Sequence, residues 1–246
     1  PPHGLLMPPI TSDLHLGLRT LRKSPGLTLV ATIALTFGIG LTTMMFSIIY
    51  GALLKGLPFE GGDRIVAVVR SNPERGINRA PIALADFADT ASQQRSFTQF
   101  GAWTSGTMNV SGIERAERFS GSWVTRDLFE MAGTPAHIGR AFLPGEDSPA
   151  GARVAVLAYD TWQTRFGGDA KALGTTIRVN GQPYEIVGVM PDGFAWPNND
   201  QLWLPLQTDP LVGGRGDAGS SVSVAGKLAP GITGAQAQAA LNTTYT

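Results

Sequence analysis

Apolar and polar positions follow a helical period in some parts of this chain and alternate in others. One long stretch shows no polar face at all. From Gly26 to Leu54 the sequence GLTLVATIALTFGIGLTTMMFSIIYGALL contains no Asp, Glu, Lys or Arg. A bilayer's hydrocarbon layer, roughly 30 Å thick, takes about 20 mostly apolar helical residues. The stretch exceeds that, which leaves room for tilt. It is too long for a cleaved signal, whose apolar region is about 7–15 residues, and a buried core helix normally carries some charge on one face. The polar interruptions are Thr and Ser, whose hydroxyls can bond the preceding turn's carbonyls. The pattern therefore predicts a transmembrane helix over 26–54. Within it Ala34 with Gly38, and Thr36 with Gly40, are small residues four apart, a spacing that lets a second helix approach closely.

Upstream, TSDLHLGLRTLRKSP places Leu14, Leu18 and Leu21 at helical spacing, with Arg19, Arg22 and Lys23 on the remainder. This predicts an amphipathic segment on the membrane surface, its cations at the lipid headgroups. Pro25 suits the first turn of the spanning helix. The positive-inside rule puts this end in the cytoplasm, although Lys55, Arg64 and Arg70 follow the span and the bias is small.

Beyond the span, 64–71 reads as a buried strand and 81–96 as a helix with Pro81 near its start and Leu84, Phe87, Ala88 and Ala91 as its apolar stripe. Two paired strands follow, separated near Ser111 and Gly112, with Trp103 and Trp123 in their alternating patterns as core positions. A short helix ends at Gly133. The order β-α-β-β opens a split, ferredoxin-like arrangement. Then come a strand at 153–159, a helix at 160–168, and a hairpin whose Asn180-Gly181 pair favours left-handed dihedrals. PDGFAWPNNDQLWLPL reads as a loop. A strand at 220–230 leads to a helix whose Thr233 and Gln236 match a capping box. A split β-α-β fold calls for one more strand after this helix, which makes the chain read as part of a longer membrane protein. GGRGDAGSS (213–221) reads as a hinge loop.

Composition narrows the chemistry. Net charge is zero, so no basic surface points to nucleic acid. Absence of cysteine removes disulfides, thiolate catalysis and thiolate metal sites. GRGDAG fits the dinucleotide fingerprint by letter, but a poor strand precedes it and a good strand, not a helix, follows. No G-x-x-x-x-G-K-[ST] occurs, so a P-loop ATPase is not expected in this chain. His3, His15 and His137 are too scattered for a metal site, and a span would separate the first two from the third. Glu146 with Asp147, and Asp200 near Trp203, are carboxylates for acid–base chemistry only if a pocket gathers them; in Gly/Pro-rich turns they read as solvated. Trp196 and Trp203, in the loop-like stretch, are candidates for a partner or lipid-proximal surface. Neither a cofactor nor a catalytic residue is expected.

LRTLRKSPGLTLVATIALTFGIGLTTMMFSIIYGALLKGLPF resembles the amino-terminal segment of MacB-like, FtsX-like ABC-transporter permeases, in particular the orphan group with duplicated permease units. RFGGDAKALGTTIRVNGQPYEIVGVMPDGFAWP and KLAPGITGAQAQAALN are similar to later blocks of that family's periplasmic core domain. The resemblance implies an α+β chain: a cytoplasmic segment (1–25), a transmembrane helix (26–54), a porter-like split β-α-β module (55–133 and 220–246) and an inserted, mostly β module (134–219). It implies a place in the inner membrane with the body of the chain periplasmic. It further implies a non-enzymatic efflux permease moved by a separate cytoplasmic ABC ATPase subunit, alongside other permease helices or a second permease copy. Two rivals stand beside it: a membrane-anchored binding or adhesion module without transport, and a tethered hydrolase in which His137 would meet a hydroxyl or carboxylate.

Overall fold

The structure is a computed structural model and describes residues 22–49, 61–72, 77–112, 116–206 and 221–244. Two compact units compose it, Pro1–Gly56 and Leu57–Thr246. In the first, helix α1 spans Pro25–Ile49. Pro25 costs no hydrogen bond at this position, since the first helical amides have no partner within the helix. Thr28, Thr32, Thr36 and Thr42 each donate a hydroxyl to the carbonyl four residues back, at 2.7–3.0 Å. Four hydroxyls of this apolar helix are thus satisfied locally, as a lipid environment favours. The amphipathic segment expected around Leu14, Leu18 and Leu21 lies outside the described residues.

The second unit begins with a single tight turn at Gly62–Arg64. Strands β1 (Ile65–Val68), β2 (Arg70–Asn72), β3 (Ile77–Ala80) and β4 (Ile82–Ala83) lead to helix α2 (Leu84–Gln93). Phe87 and Thr90 are its buried positions, whereas Ala88 faces out. The Thr90 hydroxyl can turn inward because it bonds the Asp86 carbonyl at 2.7 Å. β5 (Phe97–Ser111) and β6 (Glu117–Val124) form the expected hairpin, and α3 (Arg126–Ala132) ends where Gly133 takes φ 61°. Next come β7 (Ile138–Gly139), β8 (Val154–Leu157), α4 (Tyr159–Phe166), β9 (Thr176–Val179) and β10 (Gln182–Val189). Asn180 and Gly181 between the last two have φ 49° and 82°, the left-handed pair of a two-residue hairpin. β11 (Leu202–Pro205), β12 (Ser221–Leu228) and α5 (Gly234–Thr244) complete the unit.

β11 corrects the reading of 191–206 as loop throughout. Its four residues are all buried, so no polar–apolar alternation marks them, and flanking prolines and asparagines mask so short a run.

The strands are hydrogen-bonded in the order β1-β12-β5-β6-β11-β8-β10-β7, with β9 bridging β10 and β5. That bridge closes β5, β6, β11, β8, β10 and β9 into a six-stranded ring. β5 serves two neighbours in sequence: Phe97–Trp103 pairs with β12, and Trp103–Val110 pairs with β6. Its last residues, Val110 and Ser111, pair with β9. The strands of the expected insertion therefore close onto the β5–β6 hairpin, with β11 running parallel to β6.

Met108, Phe119, Trp123, Leu157, Ile177, Ile186, Leu202 and Leu204 fill the ring, continuous with the core beneath α2 and α5 formed by Phe87, Phe100, Val224 and Ala237. Closure leaves little room inside. A Cβ on Gly121 would sit 2.6 Å from the Met108 sulfur and 3.0 Å from the Leu202 carbonyl oxygen, so Met108 would have to shift to admit one. A second apolar cluster lies on the opposite face: Leu128, Phe129 and Met131 of α3 pack with Val154, Val156, Phe194, Trp196 and Trp203.

At α5 the capping box is present. The Thr233 amide donates to Gln236 Oε1 at 2.9 Å, and the Gln236 amide donates back to Thr233 Oγ1 at 3.3 Å. Thr233→Ala is expected to cost about 1 kcal/mol, read as a lower midpoint in a denaturant titration with an unchanged slope.

Candidate functional site

Helix α1 is the first candidate surface. Pro25–Ser47 is long and apolar enough to cross a membrane, about 35 Å at helical rise, and none of it is buried. Leu29, Leu35, Phe37, Leu41 and Phe46 all expose more than three-fifths of their surface. Ala34, Thr36, Gly38 and Gly40 are exposed as well. A Cβ on Gly38 or Gly40 would meet nothing within 4 Å among the described residues. Arg22 and Lys23 are exposed one turn before Pro25, while Arg19 lies outside the described residues.

Three polar groupings among the described residues of the second unit bear on candidate chemistry. On β5 and β6 a chain of hydrogen bonds runs inward. Asn198 Nδ2 donates to Ser105 Oγ at 2.8 Å, Ser105 Oγ lies 2.6 Å from Ser122 Oγ, and Ser122 Oγ donates to Asp200 Oδ2 at 2.5 Å. Because the Ser122 proton goes to Asp200, the Ser105 hydroxyl must donate to Ser122, and the chain has one direction. Ser122 and Asp200 are buried. Burial raises the Asp200 carboxyl above the ordinary carboxylate value, and the Ser122 hydrogen bond opposes that rise.

Glu146 is held by both guanidinium nitrogens of Arg140, at 2.7 and 2.9 Å, and by the Leu143 amide at 2.7 Å. This fork raises the Arg140 pKa against the opposing effect of burial. Asp147 accepts from the Arg126 amide at 2.9 Å, at the start of α3. The two acidic neighbours thus serve different structural purposes: one ties down the loop after β7, and the other caps a helix.

His137 stands apart from the serine–aspartate chain. Its ring packs 5.2 Å from Tyr159 and 5.6 Å from Trp162. The Ser122 hydroxyl thus meets Asp200 and Ser105, not an imidazole. No cluster of His, Asp and Glu among the described residues could hold a metal ion. GRGDAG lies outside the described residues, as do His3 and His15.

The tryptophan surface expected from Trp196 and Trp203 is corrected by the structure. Trp203 is 0% exposed and Trp196 9%. Trp203 falls on a strand, and its indole meets Phe129 and Phe194 edge-on at 6.0 and 5.4 Å. Trp196 donates its indole N–H to the Leu128 carbonyl at 3.0 Å and packs on Trp103. The loop from Phe194 to Asp200 therefore acts as a strap. Its tryptophan grips α3, and its asparagine and aspartate grip the β5–β6 hairpin.

A family model described as the MacB-like periplasmic core domain matches residues 28–244. Among solved structures, the chain is similar to the periplasmic region of MacB from Actinobacillus actinomycetemcomitans, at 19% identity over 74% of this chain and 82% of that one, with a TM-score of 0.58. It is also similar to the extracellular domain of the noncanonic ABC-type transporter YknZ from Gram-positive bacteria, at 17% identity over 71% of this chain and 87% of that one, TM-score 0.53. At these identities the likeness is one of fold, a mixed α/β body built on a β-sheet core. No curated protein matches the chain in sequence.

Proposed function

Because this chain belongs to the MacB-like periplasmic core domain family, we propose that it works as the permease component of a MacB-like ABC exporter and carries out no catalysis itself. The observation that carries this reading is the joining, in one polypeptide, of an unburied apolar helix of 25 residues to a body with the fold of transporter periplasmic regions. In this reading residues 1–25 are cytoplasmic and 26–54 span the inner membrane. The porter-like module (55–133 and 220–246) and the inserted module (134–219) stand in the periplasm. A separate cytoplasmic ATPase supplies the energy, and the helix relays movement to the body.

Arg19, Arg22 and Lys23 would hold the start of the helix at anionic headgroups, each contributing about 1 kcal/mol near such a surface. The face of Ala34, Thr36, Gly38 and Gly40 would receive another permease helix or a second permease copy, since small residues let backbones come close where lipid offers no hydrophobic drive.

The test is purification in mild detergent from the native host. A cytoplasmic ATP-binding cassette subunit is expected to accompany the protein, and purification without one would overturn the proposal. Gly38→Leu is expected to reduce recovery of the permease assembly severalfold while the thermal transition of the extracytoplasmic body stays where it is. An unchanged assembly would remove Gly38 from the interface.

A further inference from the structure

Asp200, at the end of the strap, is a buried carboxylate with a neutral partner. It is 6% exposed, and Ser122, the one side chain that donates to it among the described residues, is 0% exposed. The elements around it bring no counter-charge. β5, β8 and β11 contain no charged residue. On β6, Glu117 is taken by Arg165 at 2.8 Å, and Arg118 lies four residues before Ser122, about 13 Å along the strand. On α3, Asp127 accepts from the Phe100 amide, and Glu130 pairs with Arg126. Asp160 of α4 and Asp192 before the strap are exposed. Burial and the Ser122 hydrogen bond therefore set the Asp200 carboxyl, with no charge acting on it. An ionised carboxylate so placed is costly, and either a proton or water relieves it.

A proton can reach it through hydroxyls. Ser105 is exposed and pairs in register with Ser122 across the hairpin. With the carboxylate ionised, every bond points inward, from Asn198 to Ser105, to Ser122, to Asp200. When Ser105 takes a proton from water, its own proton passes to Ser122, and that of Ser122 passes to Asp200. The chain is then reversed: Asp200 donates to Ser122, Ser122 to Ser105, and Ser105 to water. No bond of the strap is lost, and the buried charge is gone. Water relieves the charge differently, by entering as the strap lifts. Lifting breaks the bond from the Gln201 amide to the Ser120 carbonyl, 2.9 Å, and that from the Ser120 amide to Gln201 Oε1, 3.0 Å. It breaks the Asn198 bond as well, but none of the β5–β6 ladder.

We propose that the strap is an acid-engaged lock: a proton on Asp200 clamps it between α3 and the β5–β6 hairpin, and loss of that proton eases its lifting. In the lifted strap Asp200 is solvated and loses its proton at the ordinary value, about 3.9. In the closed strap it keeps the proton to a higher pH. Lifting therefore becomes easier as pH rises between these two values and levels off above the higher one. The lock lies within one compact unit and holds whether or not the chain serves transport.

Native-state hydrogen exchange of the full chain in mild detergent, read by mass spectrometry and corrected for the intrinsic rate, tests it. From about pH 4 to about pH 7, protection over 194–201 is expected to fall severalfold and then level. Low urea is expected to leave that exchange unchanged, because lifting the strap exposes little surface, while it speeds exchange over 117–124 through global unfolding. Asp200→Asn is expected to abolish the fall. Asn198→Ala, which removes one grip and leaves the carboxylate in place, is expected to lower protection by the same factor at every pH and keep the fall. A flat wild-type profile overturns the proposal, as does a fall that persists in Asp200→Asn or is lost in Asn198→Ala. Equal urea dependence over 194–201 and 117–124 also overturns it, since the strap then opens only when the whole body unfolds.

Discussion

Trp203→Ala lowers the stability of the extracytoplasmic body by about 3–5 kcal/mol, the range for truncating a large aromatic in a packed core. The indole is fully buried on the outer wall of the ring, beneath α3, between Phe129 and Phe194. Its removal leaves a void that the ring wall cannot close, because β11 is pinned between β6 and β8. The indole nitrogen has no hydrogen-bond partner among the described residues. Trp203→Phe therefore gives up area but no hydrogen bond, and is expected to cost less than half as much as the alanine change. Chemical denaturation followed by circular dichroism distinguishes this from a partner surface. A surface tryptophan could be truncated with no change in the midpoint, and that result would contradict the placement of Trp203 in the core.

The second large effect is electrostatic. Ser122→Ala removes the donor from a buried carboxylate, and an unsatisfied group of this kind costs about 1–3 kcal/mol. The pH dependence identifies the cause. Burial raises the folded pKa of Asp200 above its unfolded value, so the folded state binds the proton more tightly than the unfolded chain. The resulting stabilisation is complete below the unfolded value, about 3.9, and is lost as pH rises through the folded value. Ser122→Ala removes the bond that opposed the rise, so the window of declining stability widens upward. Asp200→Asn has no charge to lose, and its contribution across the same window is flat. Stability measured by urea titration at a series of pH values reads both slopes. A wild-type profile identical to that of Asp200→Asn would show that Asp200 does not titrate as its burial requires.

Much of this architecture is legible from local signals. Asn180-Gly181 fixes a hairpin because both residues accept positive φ, and Thr233 with Gln236 fixes a helix start because their groups satisfy each other. The uncharged run after Pro25 marks a helix long and apolar enough to cross a membrane. β11 was not legible, since a strand buried on both faces has no period to read. The tryptophans within and beside it misled for the same reason: aromatic residues among prolines look exposed until a partner strand is known. Nor is ring closure written in any one segment. It depends on the pairing of β9 with the far end of β5, some 70 residues earlier in the chain. The strap from Phe194 to Asp200 likewise joins residues whose partners, Leu128, Ser105 and Ser122, are set by tertiary packing. Asp200 was visible as a carboxylate, but its serine partner was not.

A single strand, β5, is 15 residues long, about 50 Å when extended, and it belongs to both the open sheet and the closed ring. A tug applied at either end travels along covalent backbone, held by the β12 ladder up to Trp103 and by the β6 ladder beyond it, both loaded in shear.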